Sequence, residues 1–84
     1  MVYELLFTDI ALRQLRKLDK QVRVRILGAL ERVRIRPYAH VTKLVGDPGY
    51  RLRVGSWRVL LDIQENKLII LALTVAHRST IYKR

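Results

Sequence analysis

The chain has 84 residues and a formal net charge of +10, from 17 Lys plus Arg against 7 Asp plus Glu, with half of its residues hydrophobic. That length bounds it to a single domain, 1–84, with a core small enough for a partner to add stability, and the apolar half excludes a disordered basic tail. Twelve of the 17 basic residues are Arg, which favours phosphate-bearing partners over generic solubility. The absence of cysteine excludes a disulfide framework, a thiolate metal site and a thiol nucleophile. The amino terminus lacks the pattern of a signal peptide, and the longest apolar run, Leu68 to Leu73, is too short to cross a bilayer, so a cytoplasmic protein with no membrane partner is expected.

Val2 to Phe7 is short, apolar and aromatic, and reads as a first strand. Thr8 or Asp9 can cap a short amphipathic helix in which Ala11, Leu12, Leu15 and Leu18 recur at helical spacing. Asp19 can cap a second helix with the apolar stripe Val22, Ile26, Ala29, Leu30 and Val33, ended by Arg36-Pro37. Gly28 inside that helix costs roughly 1 kcal/mol relative to Ala, and close packing is the reason expected for it. Arg23, Arg25, Arg32, Arg34 and Arg36 read as a solvated helix face.

Pro37 to Gly49 holds two Pro and two Gly without periodicity and reads as a loop, with His40 in a structural role. Three strands follow, at about Tyr50 to Val54, Trp57 to Ile63 and Lys67 to Ala76, the last two joined at Glu65-Asn66. The expected fold is α+β, an antiparallel sheet of about four strands in the order β-α-α-β-β-β with an amino-terminal helical hairpin on one face. Trp57 and Tyr50 alternate toward the core, and the arginines toward the other face.

If Gly55-Ser56 is a two-residue hairpin turn, counting outward pairs Val54 with Trp57 and Arg53 with Arg58, and Arg51 shares their face. Like charges directly opposite destabilise a sheet. Three guanidiniums on one patch without an acid therefore call for an anion as the missing partner, and Arg is shaped for bidentate contact with phosphate.

A second cluster lies at the carboxyl end, where His77, Arg78 and Tyr82 fall within six residues. His titrates near neutrality, Arg holds phosphate charge, and Tyr stacks on a base or transfers a proton. Strict alternation places His77, not Arg78, on the Arg58 face, so a bend or bulge near Ala76 is needed if both act there.

No HExxH, Walker loop, Gly-rich dinucleotide fingerprint or carboxylate pair near a histidine is present, and only Asp47, Asp62 and Glu65 supply carboxylates in the carboxyl half. A mechanism without metal or cofactor is expected. RNA brings its own nucleophile, the 2′-hydroxyl, leaving the protein to orient the backbone, stabilise the phosphorane charge and move two protons. Arginines suit the second task but stay protonated and cannot act as the base, which leaves His77 and Tyr82.

Three segments, Lys43-Leu44-Val45-Gly46, then Tyr50-Arg51-Leu52-Arg53-Val54-Gly55-Ser56-Trp57-Arg58-Val59, then His77-Arg78 with Ile81-Tyr82, make the whole chain resemble the RelE/ParE superfamily of toxins from toxin–antitoxin pairs, in particular its RelE branch. The resemblance implies a ribosome-dependent mRNA interferase that enters the decoding site and cuts the message. It implies working roles for Arg51, Arg53, Arg58, Arg78 and Tyr82, with His77 taking or sharing the role of base where the family's lysines are replaced by Arg51 and Arg53. Lys83 and Arg84 extend the RNA-contacting set. It also implies a cognate antitoxin protein in a hetero-oligomer. The alternatives are a ParE-like toxin that binds DNA gyrase and cuts no RNA, and a nucleic-acid-binding module without catalysis.

Overall fold

The computed structural model describes residues 2–81; Tyr82, Lys83 and Arg84 lie outside them. The chain runs β1 (Glu4–Phe7), α1 (Asp9–Arg16), α2 (Lys20–Ile35), a 3-10 turn (Pro37–Ala39), β2 (Val41–Lys43), β3 (Tyr50–Val54), β4 (Trp57–Gln64), β5 (Ile69–His77) and α3 (Arg78–Ile81). The strands form one five-stranded sheet in the order β1-β5-β4-β3-β2. No helix among the described residues is long and apolar enough to cross a membrane.

The α+β class agrees with the sequence, and two details of the sheet differ. The sheet is mixed, because β1 pairs parallel with β5, while β2 to β5 form an antiparallel meander. The two helices carry the chain from β1 over the sheet to its opposite edge, and the meander returns it to β1. The fifth strand, β2, lies in the stretch that reads as a loop; its three residues are too few to show alternation, and pairing with β3 defines it.

Thr8 caps α1, its Oγ1 accepting from the Ala11 N–H at 3.0 Å. Ala11 and Leu15 from α1 and Ile26, Ala29, Leu30 and Val33 from α2 are buried together against Leu52, Val54, Val59, Leu61, Ile70, Ala72 and Val75 of the sheet. Trp57 and Tyr50 pack against this core, half-buried. Gly28 faces open space, since a β-carbon there would meet nothing within 4 Å, so close packing does not explain it. Two of the helix arginines do more than face solvent. Arg34 donates through Nε to the Tyr3 carbonyl at 2.8 Å and pairs with Glu31 at 2.9 Å, and Arg23 donates to the Leu18 carbonyl at 3.2 Å.

The pairing of β4 with β5 changes register once. Leu61 faces Ala72 but Leu60 faces Thr74, which leaves Leu73 as an extra residue on β5. Two α1-side side chains satisfy the backbone around this bulge. The Thr8 hydroxyl donates to the Leu73 carbonyl at 2.7 Å, and Gln14 Oε1 accepts from the Val75 N–H at 2.6 Å. An unsatisfied buried backbone group costs about 1–3 kcal/mol. Replacing Gln14→Ala is therefore expected to lower unfolding free energy by about 1–3 kcal/mol in urea titrations; wild-type stability would contradict the assignment of this bond.

Candidate nucleic-acid interface at the β3–β4 turn

Gly55 has φ +59°, no positive φ occurs at Ser56, and Val54 pairs with Trp57, the pattern of a two-residue II′ hairpin with glycine first. Arg53 then stands directly opposite Arg58, as counting from the turn expects. Arg51 follows two residues earlier on the same face, opposite Leu60. Arg53 is exposed and Arg51 half-buried.

Arg58 departs from the picture of an open patch, being only 4% exposed. Its Nη1 donates to the carbonyls of Gly55 and Trp57, both at 2.9 Å, so the guanidinium is clamped to the turn it follows. Its Nε is buried with no hydrogen-bond acceptor among the described residues. A buried unpaired donor of this kind is uncommon, and this one has no exposed surface through which a ligand would reach it.

The turn also gathers groups from two helices. The Arg78 N–H donates to the Ser56 carbonyl at 2.8 Å, which fixes the start of α3 beside the turn. From the opposite side Arg25 of α2 reaches over Gly55, where a β-carbon would stand 3.2 Å from its Nη2. In the sequence Arg25 reads as part of a solvated face; its only signal is the spacing to Arg32, two helical turns on, with Gly28 between them.

His77 lies elsewhere than alternation suggests. It pairs with Trp57, and Ala76 is the residue opposite Arg58, because the extra residue at Leu73 shifts the parity of β5 by one. The imidazole stands edge-on to the Trp57 ring, centroids 5.3 Å apart at 88°. Its Nδ1 lies 3.1 Å from Ser79 Oγ and accepts from the Ser79 N–H at 3.4 Å, a capping arrangement at the start of α3. Arg78, the first residue of α3, is exposed; the bulge lies at Leu73, not near Ala76, and it takes His77 off the Arg58 face instead of bringing both residues to it.

The far end of β4 holds a different set. Tyr38 donates to Glu65 at 3.0 Å and stacks edge-on with Tyr50, over whose ring Lys43 Nζ sits at 4.8 Å. Lys43 also donates to the Pro48 carbonyl at 3.2 Å, so it braces the β2–β3 connection. Partial desolvation and the Glu65 carboxylate push the Tyr38 hydroxyl up to about 12, which removes it as a proton carrier near neutrality. His40 is exposed in the segment between the 3-10 turn and β2. Among the described residues no group of three or more His, Cys, Asp or Glu comes together as a metal site.

The family model of the ParE toxin of the type II toxin–antitoxin system parDE matches residues 5–82. The chain belongs to the RelE/ParE superfamily of type II toxin–antitoxin toxins. Among solved structures, a chain of the RelBE2 toxin–antitoxin complex of Mycobacterium tuberculosis is 25% identical, with 93% of this chain and 100% of that one covered and a TM-score of 0.85. A variant of the E. coli toxin RelE in its free state is 28% identical over 95% of this chain and 87% of that one, TM-score 0.84. A variant of the same toxin in complex with a peptide of the antitoxin RelB is 30% identical over 98% and 92%, TM-score 0.80. No curated protein sequence matches the chain.

Within this superfamily fold the arginines differ in what they support. Arg58→Ala removes a buried side chain and its two bonds to the turn's carbonyls and is expected to cost about 2 kcal/mol of stability, while Arg78→Ala changes it by less than about 0.5 kcal/mol. Paired urea denaturation curves check this, and equal stability of the two variants would contradict the clamp.

Proposed function

We propose that this toxin is a metal-independent endoribonuclease that cuts mRNA in the ribosomal A site and so inhibits translation in the cytoplasm. The observation that carries the reading is that the chain sets arginines of β3, β4 and α3 around the Gly55-Ser56 turn, with Arg53 paired to Arg58 and the Arg78 backbone N–H bonded to Ser56. A sheet end built this way gains stability when a phosphate enters it.

In the proposed reaction the RNA 2′-oxygen attacks the adjacent phosphorus, the 5′-oxygen leaves, and a 2′,3′-cyclic phosphate remains on the upstream fragment. Arg51, Arg53 and Arg78 hold the scissile phosphate and the charge that grows on its oxygens. Arg58, clamped through Nη1, adds its positive charge from beneath the patch. His77 is a positioning residue that caps α3 and so places Arg78. Tyr82, which follows α3 in the sequence, protonates the departing 5′-oxygen and is reprotonated by solvent, which takes up the 2′-hydroxyl proton, with Lys83 and Arg84 adding contacts to RNA. The structures of relatives with RelB antitoxins support a cognate antitoxin in a toxin–antitoxin hetero-oligomer.

A second reading, a ParE-like gyrase inhibitor, is favoured by the family model, which is that of ParE. Primer extension on a defined message with programmed ribosomes separates the two. Cuts within the A-site codon support the nuclease. No cleavage, together with loss of gyrase supercoiling activity, supports the inhibitor.

Arg78→Ala is expected to lower cleavage by about 10²–10³-fold, the usual effect of removing one preorganised donor. Tyr82→Phe should abolish it, whereas His77→Asn, which keeps a capping side chain, should leave kcat within a few-fold of wild type. Rates from single-turnover time courses would show the reverse order if His77 were the base.

A further inference from the structure

Arg25, Arg32 and Arg53 line one open cleft of about 420 Å³ between α2 and the β3–β4 turn, with Gly28 and Gly55 among its walls. Among the described residues no acidic one lines it. None of the three guanidiniums makes a hydrogen bond or ion pair with a described residue, in contrast to Arg34, which has Glu31. Two glycines keep the cleft open. Gly28 leaves the helix bare where a side chain would meet nothing within 4 Å, and Gly55 lets the Arg25 guanidinium approach the turn. Gly28 carries a helix-propensity cost without a packing return, and the cleft gives that position a use.

Arg53 joins this cleft to the strand patch, since it lines the one and faces Arg58 in the other. The positive surface thus continues from the sheet face around the turn onto α2. Arg25 and Arg32 are seven residues apart, roughly 10.5 Å along the helix axis. That span exceeds a single phosphate group and fits a chain with repeating negative charge.

We propose that Arg25, Arg32 and Arg53 form a second RNA-backbone site that holds phosphates flanking those at the β3–β4 turn. The site takes single-stranded RNA by its backbone, without base readout, and guides the strand toward the arginines of β3 and β4. It rests on the reading that the toxin acts on RNA, and binding of an uncleavable RNA tests it apart from cleavage.

The experiment titrates the full chain into a labelled single-stranded 2′-O-methyl RNA of about 12 nucleotides and follows anisotropy over a range of salt concentrations. The double variant Arg25→Ala with Arg32→Ala should reduce the slope of log K against log salt by about 1.4, at 0.7 per lost phosphate contact on a single strand. Gly28→Glu, which puts an acid into the cleft while improving helix propensity, should weaken RNA binding at low salt. Arg13→Ala with Arg16→Ala, which removes the same charge from exposed positions on α1, should keep the wild-type slope. Circular dichroism melts establish that each variant is folded.

Equal slopes for the two double variants would overturn the proposal, as would the absence of RNA binding by the wild type. So would loss of affinity for a glutamate-rich peptide with RNA binding unchanged, since the cleft would then be a protein contact. The predicted slope difference in a protein that cleaves nothing would leave this site standing and remove the nuclease reading.

Discussion

The extra residue at Leu73, and the two side chains from the amino-terminal segment that satisfy it, set the geometry on which the site depends. Thr8 and Gln14 reach from the start and body of α1 to the Leu73 carbonyl and the Val75 N–H. Without the shift, extending the Leu61 to Ala72 register would set Val75 opposite Arg58. With it, Ala76 stands there and His77 turns to Trp57. A helix cap and a glutamine thus decide which face of the sheet each carboxyl-terminal residue serves, since a one-residue slip exchanges every side chain between faces.

The Gly55-Ser56 turn is the second fixed point. Its carbonyls are occupied by Arg58 Nη1 and by the Arg78 N–H, and its glycine permits the approach of Arg25. These contacts draw on β4, α3 and α2, so the position of each arginine is coupled to the same two residues. Arg58 and Arg78 are held at the turn by bonds to its carbonyls, while Arg25 comes close to it without a bond. That is the arrangement expected of a surface whose partner is a polyanion.

Much of this was legible in the sequence where local chemistry fixes structure. A Gly-led two-residue turn determines its own register, so the Arg53 to Arg58 pairing could be counted correctly. Thr8 announced the first helix, and the stripe from Ile26 to Val33 announced the second. The position of the bulge was not legible, because Leu68 to Leu73 is uniformly apolar and an inserted residue leaves no break in alternation. The burial of Arg58 was hidden for a related reason: its partners are carbonyls, which no residue identity reveals. The parallel pairing of β1 depends on where two helices return the chain, and the significance of Arg25 and Arg32 depends on what α2 lies beside.

The chemistry proposed for this site assigns the nucleophile to the RNA and the charge stabilisation to arginine, which cannot move protons. The carboxylates Asp62 and Glu65 lie at the opposite end of β4 from the turn and are engaged by Gln64 and Tyr38. The end groups of the cleaved message test this account most directly. Mass spectrometry of the upstream fragment from ribosome-bound mRNA is predicted to show a 2′,3′-cyclic phosphate, matched by a 5′-hydroxyl on the downstream fragment. A 3′-hydroxyl paired with a 5′-phosphate would contradict it, because those ends require attack by water or a protein group from outside the RNA.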